Sequence, residues 1–348
     1  MPGYSWTGGH SVSAYNLRVN LTLQLVPQQK AEEVPMVSRQ ADSGNFGLIS
    51  EIGIRNAILI LCAPLVFLGL LFAEEPPAQM VRASKLSPAE LSTIRGRALS
   101  GDPEAQVLLG LAYHGANRAF GKDEAEARHW FEMSAKQGNL DARFWLIGMD
   151  NQQVKDASVT LSRYLELAKA GNIGGMNAFA LYCASGAGGP KDLAAAMLWW
   201  KKAAEAGSAE GAFNVGIMYL EGEGVPAKDR EAVDWLRRAA NEGNISAASR
   251  LGTMALTEKG GLKPGPESTR WLRTAAEAED STSMLNLGMV LFHGLGAPTD
   301  FVEAYMWFTL AAQRGLIDGR GGLRPKMTAA QITSGEKRAA EWSAKHSQ

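Results

Sequence analysis

The sequence predicts an all-α fold, a right-handed α/α solenoid of about six helix-turn-helix repeats of ~36 residues with helical caps. Three observations predict it. Trp199, Trp235, Trp271 and Trp307 stand 36 residues apart, and self-similarity at a fixed period of roughly 20–50 residues marks stacked units. Each of these tryptophans opens a similar string: WWKKAAEAG, WLRRAANEG, WLRTAAEAE and WFTLAAQRG. Within one interval the apolar residues fall into two sets, Gly211, Val215, Met218, Tyr219 and Ala232, Trp235, Leu236, Ala239. Both sets have the spacing of one face of an α-helix.

The elements follow in order. Residues 1–56 are rich in Ser, Gly, Asn and Gln and show no helical period, so they read as a disordered extension, with Met36 as a candidate natural start. Ala57 to Ala73 is apolar throughout, with Arg39 and Arg55 before it and Glu74 and Glu75 after it. It reads as a signal peptide or signal anchor, the chain's one means of touching a membrane. Its flanking charges place the rest of the chain outside the cytoplasm, periplasmic or secreted. Residues 74–86 read as a linker. Ser87-Pro88-Ala89-Glu90 is a capping box with proline at the first helical position, opening an N-terminal cap helix over 87–100.

The repeats run over 101–318. Trp130 opens WFEMSAKQG and Arg163 opens RYLELAKAG, so six positions share one slot: 130, 163, 199, 235, 271 and 307. Glycines recur mid-helix at Gly110, Gly216, Gly252 and Gly288. Each costs about 1 kcal/mol against alanine, and a close helix–helix approach around the bulky tryptophan is the expected compensation. A second glycine column, Gly138, Gly171, Gly207, Gly243 and Gly315, follows the second helix, where a left-handed cap is wanted. Residues 319–348 read as a closing helix, with Trp342 over the last unit and Gly335 as a weak point.

These residues resemble the Sel-one-like repeat family, relatives of the tetratricopeptide repeats. The fourth repeat carries the most complete set: Val215, Gly216, Tyr219, Gly222, Gly224, Val225, Asp229, Ala232, Trp235, Ala239, Ala240 and Gly243. The second lacks its Trp and loop glycines, and the fifth has Glu279 for the terminal Gly and a Lys263-Pro264-Gly265-Pro266 loop. The resemblance implies a protein-binding scaffold or regulator of the bacterial exported type, whose first helices line a concave face. The row three residues past the small residue is Leu108, Trp145, Ala178, Asn214, Arg250 and Asn286. Asn214, Arg250 and Asn286 form a polar ladder able to grip peptide backbone or carboxylates; the other reading is that the asparagines tether the neighbouring helix. Trp145 is either packing bulk or an anchor for a partner.

The composition narrows the function. Of 348 residues, 46% are hydrophobic, and 35 Lys plus Arg against 36 Asp plus Glu leave a net charge of -1. That balance argues against a nucleic-acid footprint. Two cysteines, Cys62 and Cys183, exclude a disulfide scaffold and a four-cysteine zinc site. The histidines, His10, His114, His129, His293 and His346, show no metal-ligand spacing, and no nucleophile elbow or phosphate loop is present. No cofactor, metal or catalytic set is expected. Two alternatives stand: an envelope polysaccharide or ligand accessory protein, needing an aromatic-lined groove, and a hydrolase, needing His114 or His129 paired with a carboxylate deep in a cleft. The cysteine-rich relatives linked to β-lactam hydrolysis carry a cysteine pair per repeat, which this chain lacks.

Overall fold

The computed structural model describes residues 78–117, 121–151 and 156–346. The expected extension and the apolar run 57–73 lie outside them. The described residues form helices joined by turns, and successive helices pack in antiparallel pairs. Helix α1 (Ala78–Ser84) and α2 (Pro88–Leu99) precede the repeats. The six pairs are α3 (Pro103–Leu111) with α4 (Glu124–Lys136), α5 (Leu140–Asn151) with α6 (Ala157–Lys169), and α7 (Ile173–Ser185) with α8 (Leu193–Glu205). They continue with α9 (Ala209–Glu221) and α10 (Asp229–Asn241), α11 (Ile245–Leu256) and α12 (Pro266–Glu277), and α13 (Ser281–His293) and α14 (Phe301–Gln313). A short α15 (Arg320–Leu323) leads to α16 (Ala329–His346), which packs on α14.

The ends are built from local chemistry. Ser87 caps α2: its backbone N–H donates to the Glu90 carboxylate at 2.8 Å while its side chain accepts from Glu90 N–H. That reciprocal pair satisfies two donors a helix start leaves unpaired. At the other end Trp342 meets Trp307 edge-on, ring centroids 6.0 Å apart. Gly335 does not break α16. A Cβ there would lie 2.9 Å from a Tyr305 ring carbon, so this glycine lets α16 seat on α14. The stretch 74–86, expected as a linker, contains α1, because Met80 and Ala83 face the core of the first unit.

The mid-helix glycines answer to a different neighbour than the expected one. A Cβ on Gly110 would come 2.6 Å from Phe131, on Gly216 2.8 Å from Leu236, and on Gly288 2.6 Å from Phe308. Gly252 meets Leu272 in the same way. The residue that needs the space is therefore the one after each tryptophan. Phe131, Leu236, Leu272 and Phe308 are buried knobs, and Tyr164 and Trp200 fill the same slot opposite Ile147 and Ala180. The tryptophans themselves divide. Trp130, Trp271 and Trp307 are buried, whereas Trp199 and Trp235 are half-exposed under Lys202 and Arg238. In the second unit Arg163 leaves the core altogether and pairs with Asp150 at 3.2 Å.

Neighbouring units are tied by the caps of their first helices. Asp102, Asn172, Ser208, Asn244 and Asp280 each accept from the first turn they precede, the usual role of a short polar N-cap. Several of these caps also reach the preceding unit. Asn172 Nδ2 donates to Asp141 at 2.7 Å, Ser208 accepts from Asn177 at 2.8 Å, and Asp280 accepts from the Ser249 hydroxyl at 2.8 Å. One side chain thus starts a helix and fixes the stacking.

Candidate partner-binding surface

The polar ladder is distributed between the seams and the surface. Asn286 is 1% exposed, and its Nδ2 donates to Thr253 Oγ1 of the preceding first helix at 3.0 Å. Asn214 is also buried. Both side chains are buried away from the surface, and the bond to Thr253 fits the tether reading for Asn286. Arg250 is half-buried and faces Glu221 across the seam, Nη2 to Oε1 3.8 Å. Burial pulls the Arg250 guanidinium below its ordinary value and the Glu221 charge pulls it back. Burial also raises the Glu221 carboxyl, which Arg250 opposes.

Trp145 is half-exposed and belongs to an aromatic group. It stacks on Phe131 at 6.3 Å with planes 13° apart, meets Phe144 edge-on at 5.5 Å, and lies 6.1 Å from the His114 ring. The Phe131 contact crosses from the first unit to the second, so Trp145 serves as packing bulk between those two units.

The row that reaches solvent lies next to the predicted one. Ser249 and Thr253 on α11 and Leu285, Met289 and Phe292 on α13 are half-exposed, while their seam neighbours are buried. The apolar side chains offer contact area, while the hydroxyls are engaged in the seam, Ser249 with Asp280 and Ser283 and Thr253 with the Ser249 carbonyl and Asn286. In the sequence this row occupies the positions two and six past the small residues Ala247 and Ser283, with Phe292 nine past Ser283. It has no signature there, because Ser, Thr, Leu and Met share no chemistry.

His114, His129 and Cys183 lie in separate surroundings. His114 Nδ1 lies 3.1 Å from Glu124 Oε2, with side chains 20% and 43% exposed, at the surface end of the first unit. On Glu124, desolvation acts upward, but the hydrogen bond from Lys122 and the His114 and Lys122 charges together hold the carboxyl below its usual range. Such a pair is a partly exposed hydrogen-bonded contact, not a carboxylate deep in a cleft. His129 packs edge-on against Trp130. Cys183 is buried, and desolvation followed by the Asp192 charge raises its thiol, the opposite of what a nucleophile needs. Among the described residues no group of His, Cys, Asp and Glu is placed to hold a metal ion, and no helix is long and apolar enough to cross a membrane.

Comparison with known proteins follows the same outline. The Sel1 repeat family profile matches residues 103–139, 175–208, 209–244 and 281–316. It passes over the second and fifth units. The second carries Arg163 in the tryptophan slot and the fifth carries Glu279 in the terminal-glycine slot, yet both keep their helix pairs. A solved structure of a protective antigen from uropathogenic Escherichia coli, displaying an SLR fold, is 29% identical with a TM-score of 0.57. The match covers 73% of this chain and 56% of that one, so this chain spans little over half the antigen's length. A Sel1 repeat protein from Oxalobacter formigenes is 24% identical over 63% of this chain and 83% of that one, TM-score 0.49. No curated protein matches.

Proposed function

This chain is a Sel1-repeat protein, and from that premise we propose that it is a non-catalytic scaffold or regulator of the cell envelope that binds a protein partner through its first-helix face. Sel1-repeat proteins are generally protein-interaction scaffolds, which gives the class. The observation that carries the reading is the set of half-exposed side chains Trp145, Arg250, Thr253, Leu285, Met289 and Phe292 on the first helices of the second, fifth and sixth units. Five of the six lie on the adjacent fifth and sixth units, where stacked first helices offer a continuous face to an extended or helical segment. The envelope location is supported by the apolar run 57–73 with arginines before it and glutamates after it.

The test is affinity capture from envelope extracts with the full chain and with Trp145→Ala, Arg250→Ala. The double variant is expected to lose a partner held by the wild type while keeping its helical circular dichroism. A captured set that is unchanged sinks this assignment. An aromatic-lined groove closing around a sugar would instead favour the polysaccharide accessory role, and Trp145 is the residue whose fluorescence a soluble glycan would quench.

A further inference from the structure

We propose that α1 is a displaceable occupant of a helix berth on α3, and that a partner helix of the same pattern takes its place. The proposal rests on the first-helix face being the partner face and specifies the chemistry such a partner needs. α1 has seven residues, well short of the ~12–15 at which an isolated helix begins to persist in water. Its conformation is therefore supplied by what it touches.

The floor of the berth is apolar. Ala83 is fully buried and Met80 half-buried in the cluster that holds Val107, Leu108 and Leu111 of α3. Each end has a polar anchor. Gln79 Nε2 donates to Asp141 Oδ2 at 2.6 Å. Asp141 lies in the first turn of α5, so α1 bridges from the first unit to the second instead of stacking on α3 alone. At the other end Asn117 Nδ2 donates to the carbonyls of Ala83 and Leu86, both at 3.0 Å. The Ala83 carbonyl is one that the helix end leaves without an intrahelical partner, and the Leu86 carbonyl lies in the turn just after it. Asn117 is buried with α1 in place, so its amide is a donor that a replacement helix must satisfy in turn.

An apolar floor with an acceptor at one end and a donor at the other defines its ligand. The ligand is a helix of one to two turns with an apolar residue, a small residue three positions later, and a side-chain amide or cation just before the first. Gln79, Met80 and Ala83 are that pattern. Because α1 is tethered, it competes at high effective concentration, and a partner must exceed it.

The test titrates a fluorescein-labelled peptide of residues 78–87 onto the full chain, read by anisotropy. One protein is unmodified; the other carries Met80→Asp and Ala83→Glu, which strip the apolar face of α1 and leave α3, Asp141 and Asn117 intact. Saturable binding to the variant is expected, at least about tenfold weaker binding to the unmodified chain, and none with a peptide bearing Met80→Asp. A folded variant that ignores the peptide overturns the berth. Loss of the helical signal in the variant overturns it too, since an occupant on which the fold depends is not displaceable. In the unmodified chain, amides of residues 81–84 should exchange at least about tenfold faster than those of 108–111; equal protection contradicts displacement. A failure of the scaffold reading appears in partner capture, and a failure of the berth appears in the peptide titration.

Discussion

Replacing Gly216 by alanine tests the packing of the array at one atom. In a helix interior the substitution is worth about 1 kcal/mol in favour of alanine. Here the new Cβ would lie 2.8 Å from Leu236 Cγ, 2.9 Å from its Cδ2 and 3.3 Å from the Leu236 backbone nitrogen. Cγ is the branch point of that side chain, and the backbone nitrogen belongs to α10, so a rotamer change alone gives no relief. Overpacking of this kind costs about 1–3 kcal/mol, which leaves Gly216→Ala destabilising by about 1 kcal/mol. Leu236→Ala alone removes a fully buried side chain and should cost about 2–5 kcal/mol. In the double variant the added methyl enters the space the leucine vacates. The clash disappears and the helix preference is realised, so the double should be less destabilised than the sum by at least about 1 kcal/mol. Equilibrium urea unfolding followed by far-ultraviolet circular dichroism reads the cycle. Effects that add within about 0.5 kcal/mol, or a stabilising Gly216→Ala, would refute the close approach as the reason for the glycine.

Trp307→Ala should cost about 3–5 kcal/mol, as buried aromatic truncations do, and Trp235→Ala clearly less, because Trp235 is half-exposed; equal losses in urea unfolding would contradict the division of the column. Glu279 holds φ +70° where the other units have glycine. Glu279→Gly should therefore raise the unfolding midpoint by the equivalent of about 0.5–1 kcal/mol, and a fall would show that the Arg314 ion pair at 2.9 Å outweighs the backbone strain. Burial, and then the Lys326 charge, hold His293 below the ordinary histidine range. The unfolded chain then binds the proton first, so stability falls as pH drops through the ordinary histidine range, about pH 7 to 5. His293→Gln should flatten that part of a thermal-melt series, and an unchanged slope would assign the acid sensitivity elsewhere.

The fold was legible because one signal, the 36-residue tryptophan spacing, sets the register of everything between. The capping box at Ser87 and Glu90 was legible for a local reason: both partners lie within one turn. What the sequence hid was long-range. A tryptophan is conspicuous, but the buried knob is its successor, and Phe131, Tyr164, Trp200, Leu236, Leu272 and Phe308 share size without sharing identity. The asparagine ladder misled for a related reason. Asn286 is buried and Ser249 half-exposed although both bond across the same seam, Asn286 to Thr253 and Ser249 to Asp280 and Ser283, and the residue types alone do not tell which keeps an open side. α1 has no visible period because seven residues are too few to display one. The caps Asn172, Ser208 and Asp280 stand in a visible slot, one residue past Gly171, Gly207 and Glu279, but their bonds to the preceding unit are written nowhere in it.

The central claim is that a protein partner is held on the first-helix face. A photo-crosslinking amino acid placed at Thr253 or Met289 on that face, and at Arg270 or Glu205 on the second helices, tests it in the full chain. The account predicts one discrete adduct from Thr253 and Met289, lost in the Trp145→Ala, Arg250→Ala background, and none from Arg270 or Glu205. Adducts from the second-helix positions alone would contradict it.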